Sequence, residues 1–176
     1  MKRLGSAVAA LLVLAGQAAR AAPDDSTAAA APCVEAGPAC VQWVDLRSGG
    51  ARSMVYATYP LGVRNPEIRR ALILVHGTGR NADHYFKTAT GAAFLAGAIG
   101  DTLVIAPAFH SADKGCEDRL APGEVSWSCR GDSWRSGGAA TSAPGLYSFD
   151  FVDAILRKLA DKSVFPRLTT AVVAGH

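Results

Sequence analysis

Apolar and polar positions alternate between two distinct regimes along this chain. Val41 to Leu46 and Met54 to Tyr59 are strand-like runs separated by Ser48-Gly49-Gly50, and a turn signal between β-rich segments predicts an antiparallel hairpin. From Ala71 the character changes. Ala71-Leu72-Ile73-Leu74-Val75 and Thr102-Leu103-Val104-Ile105-Ala106 are continuously apolar, the second stopped by Pro107, and Thr170-Ala171-Val172-Val173-Ala174 is a third such run. Unbroken apolar runs of this length are the mark of strands buried on both faces.

Helix-permissive segments lie between these strands. Asn81 to Ile99 is alanine-rich, with Tyr85, Phe86, Phe94 and Leu95 available for an apolar face, although Gly91 and Gly97 weaken its helical propensity. A clearer helix starts at Ser148-Phe149-Asp150-Phe151: Phe151, Ile155, Leu156 and Leu159 share one side, Arg157, Lys158 and Asp161 lie away from it, and Pro166 follows its end. Phe109 to Gly145, in contrast, is a long glycine- and serine-rich excursion of a kind that compact domains rarely carry without a function. Strand, helix, strand, helix, strand with apolar strands predicts right-handed crossovers. The fold class is therefore α/β, a mostly parallel sheet flanked by helices, with the antiparallel hairpin at its N-terminal side. No internal repeat is visible.

With 176 residues, 49% of them hydrophobic and 19% charged, the chain suits one domain with a substantial core. Its formal charge of +3 does not indicate a polyanion partner. Lys2, Arg3 and Arg20 account for it, because no acid occurs before Pro23, and the remaining residues balance. Without a basic field, nucleic-acid binding is not expected.

The first 21 residues read as a secretory signal: Lys2 and Arg3, the apolar run Ala7 to Gly16, then the small-x-small site Ala19-Arg20-Ala21. That run is about ten residues, against the roughly 20 needed to span a bilayer, so stable membrane insertion is not expected. Residues 22–32 form an alanine-rich leader, leaving 33–176 as the folded part. The cysteines agree with export to the periplasm or medium. There are four, Cys33, Cys40, Cys116 and Cys129, and two short loops, Cys33 with Cys40 and Cys116 with Cys129, are the simplest of three pairings. No C-x-x-C occurs and no histidine sits at zinc-ligand spacing from another, so neither a metal nor a cofactor is expected.

Candidate chemistry lies where a parallel sheet binds ligands, beyond the carboxyl ends of its strands. Val75-His76-Gly77-Thr78-Gly79 follows the first buried run and Ala174-Gly175-His176 the third, so both would open on one rim. The glycines free the backbone to turn its N–H groups toward a ligand. No G-x-G-x-x-G or Walker lysine follows, which excludes a phosphate cradle of the common kinds.

A strand ending in His-Gly, followed later by a strand ending in Gly-x, resembles the α/β-hydrolase superfamily over roughly Val41 to His176. That resemblance implies a carboxylic-ester hydrolase of the serine type, acting on a small-molecule or polymeric ester. The residue after the His-Gly pair donates its N–H to the oxyanion hole, which carries over to Thr78, with its hydroxyl as a second contact. His76 and Gly77 join the same candidate catalytic set, and His76 reads alternatively as a polar strand terminus hydrogen-bonded to its own loop. Gly175 and His176 match the first two positions of the Gly-x-Ser-x-Gly nucleophile elbow. The implied fold is then the N-terminal part of a hydrolase domain, with serine, acid and base still to come and no activity expected of this stretch alone. His84 and His110 are expected to be loop or surface histidines. Arg130-Gly131-Asp132-Ser133-Trp134-Arg135 resembles a loop lining an acyl pocket and reads equally as a surface loop. The alternative function is a non-catalytic secreted binding protein on a partial α/β fold.

Overall fold

A computed structural model describes residues 31–47, 50–130 and 133–175. The signal segment, most of the leader, and His176 lie outside the described residues. Five strands form one sheet: β1 (Val41–Asp45), β2 (Arg52–Ala57), β3 (Arg70–Val75), β4 (Thr102–Pro107) and β5 (Thr170–Gly175). Helix α1 (Ala82–Leu95) links β3 to β4, and α2 (Ser148–Ala160) precedes β5. The spatial order is β1-β2-β4-β3-β5. The hairpin pairs β1 with β2, and β2 runs antiparallel to β4, whereas β3 is parallel to both β4 and β5. Four of the five strands therefore point the same way, as expected for an α/β architecture.

The apolar runs explain the two-sided core. Successive side chains of a strand face opposite sides, so Leu72, Leu74, Val104 and Ala106 meet Phe86, Ala89 and Ala93 of α1. Ala71, Ile73, Leu103 and Ile105 face the other layer with Phe151, Ile155 and Leu159 of α2. All six residues of β4 are buried. Burial of each large aliphatic or aromatic side chain contributes about 1.5–3 kcal/mol before entropy is counted. The face foreseen for α2 is the face used, with Ala154 added and Leu156 partly buried. Its start is capped by Asp150, whose carboxylate accepts the Tyr147 N–H at 2.7 Å.

The helix α1 departs from the sequence reading. Phe94 and Leu95 are 69% and 87% exposed, and the buried stripe is Ala82, Phe86, Ala89, Thr90 and Ala93 instead. That stripe follows the i, i+4, i+7, i+8, i+11 rule, and small residues let the helix lie close on the sheet. The helix ends four residues earlier than expected because Gly97 adopts φ 64° and ends it, with the Gly97 and Ala98 N–H groups returning to Phe94 and Ala93 carbonyls.

The strand β5 also differs. It pairs with β3 alone and forms an edge of the described sheet, and Val172 and Val173 are each 48% exposed. An apolar run reports a strand's capacity for two-sided burial, and among the described residues nothing covers its outer margin.

The excursion from Phe109 to Gly145 is folded over the carboxyl ends of β3 and β4. It carries the Cys116–Cys129 disulfide, and Cys33–Cys40 closes the other short loop beside β1, so both pairings are the simple ones. Trp127 and Trp134 anchor the excursion in the core: Trp127 is fully buried with its indole N–H on Ser53 Oγ at 3.1 Å, and Trp134 stacks on Phe109 at 4.8 Å. Among the described residues no helix is long and apolar enough to cross a membrane, and no group of three or more His, Cys, Asp or Glu could hold a metal ion.

Candidate functional site

The carboxyl ends of β3 and β5 are immediate neighbours. Val75 and Gly175 are paired in the parallel register, and the Gly175 α-carbon lies so close that a Cβ on it would sit 3.4 Å from that of Val75. The turn that follows β3 therefore leaves the sheet beside Gly175, the last described residue of β5. Of the five residues singled out from the sequence, His76, Gly77, Thr78 and Gly175 are brought to this rim, while His176 lies outside the described residues.

His76 occupies the floor of the rim. It is fully buried, its ring edge-on to Trp134 at 4.6 Å and to Phe109 at 5.8 Å. Its Nε2 accepts the Phe109 N–H at 3.2 Å and its Nδ1 lies 3.0 Å from the Gly77 carbonyl. An acceptor at Nε2 requires the proton on Nδ1, so both nitrogens are committed in the neutral ring. Burial lowers its pKa below the ordinary 6.5; the Gly77 carbonyl opposes that shift, and the nearby His110 and Arg80 reinforce it. His76 thus joins the end of β3 to the end of β4 and has no free nitrogen for a substrate.

Above it, residues 77–80 form a turn closed by the Arg80 N–H on the Gly77 carbonyl at 3.0 Å. Gly77 is buried, and Thr78 and Gly79 are exposed. Among the described residues the Thr78 N–H has no hydrogen-bond partner. The residue in the left-handed region is Arg80, at φ 50°, and neither Gly77 nor Gly79 adopts a positive φ. The expected use of those glycines is therefore corrected. Gly79 instead gives room to the Asn81 side chain, whose Oδ1 would lie 3.2 Å from a Cβ at position 79.

Three features escaped the sequence reading. Arg80 reaches across to the excursion, where its guanidinium pairs with the Asp118 carboxylate and donates to the Cys116 carbonyl at 3.3 Å. His110, expected as a loop histidine, lies on the same side with Nδ1 2.6 Å from Glu124 Oε1. That carboxylate is nearly buried and also accepts the Ala121 N–H at 2.8 Å. His84, by contrast, is a surface histidine. Third, a cavity of about 270 Å³ lies between the start of α2 and the ends of β3 and β5. Val75, Val173, Val152 and Phe149 make it largely apolar, and Trp134 and Arg135 of the excursion line it too. Ser148 also lines it, with a buried hydroxyl that has no partner. The excursion segment read from sequence as a possible pocket lining thus contributes Trp134 and Arg135 to a cavity, whereas Gly131 and Asp132 are outside the described residues. The contacts of Arg80 with Asp118 and Cys116, and of His110 with Glu124, join positions 14 to 38 residues apart, and no local sequence signal marks them.

Comparison of the chain with protein-family models, curated proteins and solved structures found no match.

Proposed function

We propose that this chain is the N-terminal part of an exported serine-type carboxylic-ester hydrolase of the α/β-hydrolase kind. In this reading the turn after β3 supplies an oxyanion-hole donor, the Thr78 N–H, and the turn after β5, beginning at Gly175 and His176, presents the nucleophilic serine. The observation that carries the reading is the Val75–Gly175 pairing in a sheet of order β1-β2-β4-β3-β5, which supports a donor and a nucleophile emerging side by side on one rim. An exposed turn with an unpartnered N–H suits a developing oxyanion, since a donor already bonded to the protein would have to break that bond during reaction. Serine, acid and base are then expected from residues following His176, and none of His76, His84 and His110 serves as the triad base. His76 acts as the brace that holds the donor turn.

Thr78→Pro tests the assignment, because proline removes the backbone N–H at that position, and Thr78→Ala, which keeps the N–H, separates its loss from that of the side chain. In a protein whose reading frame continues past His176, loss of the donor lowers kcat on a short-chain aryl ester by about 100-fold or more. Folded Thr78→Pro protein with unchanged kcat would remove Thr78 from the site. A second reading, a binding protein without catalysis, draws support from the apolar cavity beside Ser148. It predicts ligand binding that is indifferent to Thr78→Pro.

A further inference from the structure

A closed circuit of contacts surrounds the candidate donor turn. It runs from His76 to the Phe109 N–H, and two residues on to Ser111, which is fully buried. The Ser111 N–H donates to Asp118 Oδ2 at 2.8 Å, and its carbonyl accepts the Asp118 N–H at 2.7 Å. Asp118 is in turn paired with Arg80, the last residue of the turn. The same guanidinium reaches the carbonyl of Cys116, which the disulfide fixes to Cys129. Cys129 is itself tied back, its N–H lying 3.4 Å from Asp113 Oδ2. Arg80 closes this circuit from a left-handed backbone conformation, which a side chain-bearing residue adopts at a cost. Such a conformation persists only where the surroundings over-determine it, and the two-pronged grip of the guanidinium is the contact that does so here.

The geometry points to Arg80 as a positioning residue: gripping Asp118 and the Cys116 carbonyl, it fixes the 77–80 turn, and with it the Thr78 N–H, to the disulfide-bridged loop. The bridge then acts on the rim at a distance, through Arg80, without touching it. This inference rests on the reading of Thr78 as an oxyanion donor for its catalytic meaning, although the mechanical coupling stands apart from any ester chemistry.

The substitution that separates grip from backbone preference is Arg80→Gly. Glycine adopts a positive φ freely, so a turn that needs only that conformation becomes more secure, whereas a turn held by the guanidinium comes loose. The readout is the ¹⁵N relaxation order parameter of the Thr78 and Gly79 N–H vectors in the purified chain. The expected values are about 0.85 in the parent and below about 0.6 in Arg80→Gly, with α1 and β4 unchanged. Arg80→Lys, which keeps a charge opposite Asp118, lies closer to the parent. Cys116→Ser/Cys129→Ser loosens the same two vectors, and Cys33→Ser/Cys40→Ser leaves them rigid. The inference is overturned if Arg80→Gly stays rigid at Thr78 and Gly79, or if order is lost equally in α1 and β4. Because the readout needs no ester, loosening by Arg80→Gly in a protein indifferent to Thr78→Pro would keep the coupling and discard the functional reading.

Discussion

The Phe109 N–H donates to His76 Nε2 at 3.2 Å, and this one bond ties the residue after β3 to the loop after β4. Because Trp134 packs on both rings, the hydrogen bond lies inside an aromatic cluster from which water is excluded. An unsatisfied backbone N–H there would cost about 1–3 kcal/mol, so the imidazole is held in its neutral form with the acceptor turned inward. The rim of the candidate site is thus built on a histidine that is structural in its chemistry.

That arrangement makes stability depend on pH in a defined sense. The folded-state pKa of His76 lies below the ordinary 6.5, so the unfolded chain binds a proton that the folded chain excludes. Stability from this group is complete above about pH 6.5 and declines as pH falls from there toward the folded value. Urea midpoints measured from pH 8 to pH 5 are expected to fall, and His76→Gln should flatten the part of the profile below pH 6.5. A profile unchanged by the substitution would show that His76 is not the linked group.

The two disulfides should contribute unequally. Sequence separations of 13 and 7 give about 3 and 2.4 kcal/mol in the chain-entropy treatment. Denaturation of Cys116→Ser/Cys129→Ser should therefore show the larger loss, with Cys33→Ser/Cys40→Ser closer to the parent. The reverse order would mean that the Cys33–Cys40 loop carries native contacts beyond simple closure.

What could be read from the sequence depended on how local its cause was. The runs Ala71 to Val75 and Thr102 to Ala106 became β3 and β4 because sustained apolarity suits a strand covered on both faces. The helix α2 was legible from the spacing of Phe151, Ile155 and Leu159, and the cysteine pairs from their short loops. In α1 the sequence pointed correctly to Phe86, which is fully buried, but not to Phe94 and Leu95, which lie exposed in the last turn while Ala82, Ala89 and Ala93 complete the contact. Gly97 counted against the helix in the sequence, although in the structure it is the residue that ends it. The site was half legible. Strand-end position singled out His76, Gly77, Thr78 and Gly175 as candidates at the rim, but the partners that shape the rim, Phe109, Asp118 and Trp134, come from the excursion. Such pairings arise only once the chain has folded back over the sheet, and no periodicity encodes them.

The exposed margin of β5 predicts self-association. Val172 and Val173 present apolar surface on a strand whose outer edge is unpaired among the described residues, and the run contains no charge or proline to discourage pairing. Sedimentation velocity of the 176-residue chain should show concentration-dependent oligomers. Val172→Lys, which places a charge on that strand, should shift the distribution toward monomer. A parent chain that stays monomeric at all concentrations would mean that the edge is protected.

The most direct measurement is made on two proteins, the 176-residue chain and a version whose reading frame continues past His176. Each is exposed to a serine-reactive fluorophosphonate and assayed for turnover of a short-chain aryl ester. The proposal requires labelling and turnover in the longer protein only, because the Thr78 donor has nothing to stabilise until a nucleophile and a base are present beside it. Turnover of the ester by a soluble monomer of the 176-residue chain, or no labelling of the folded longer protein, would contradict it.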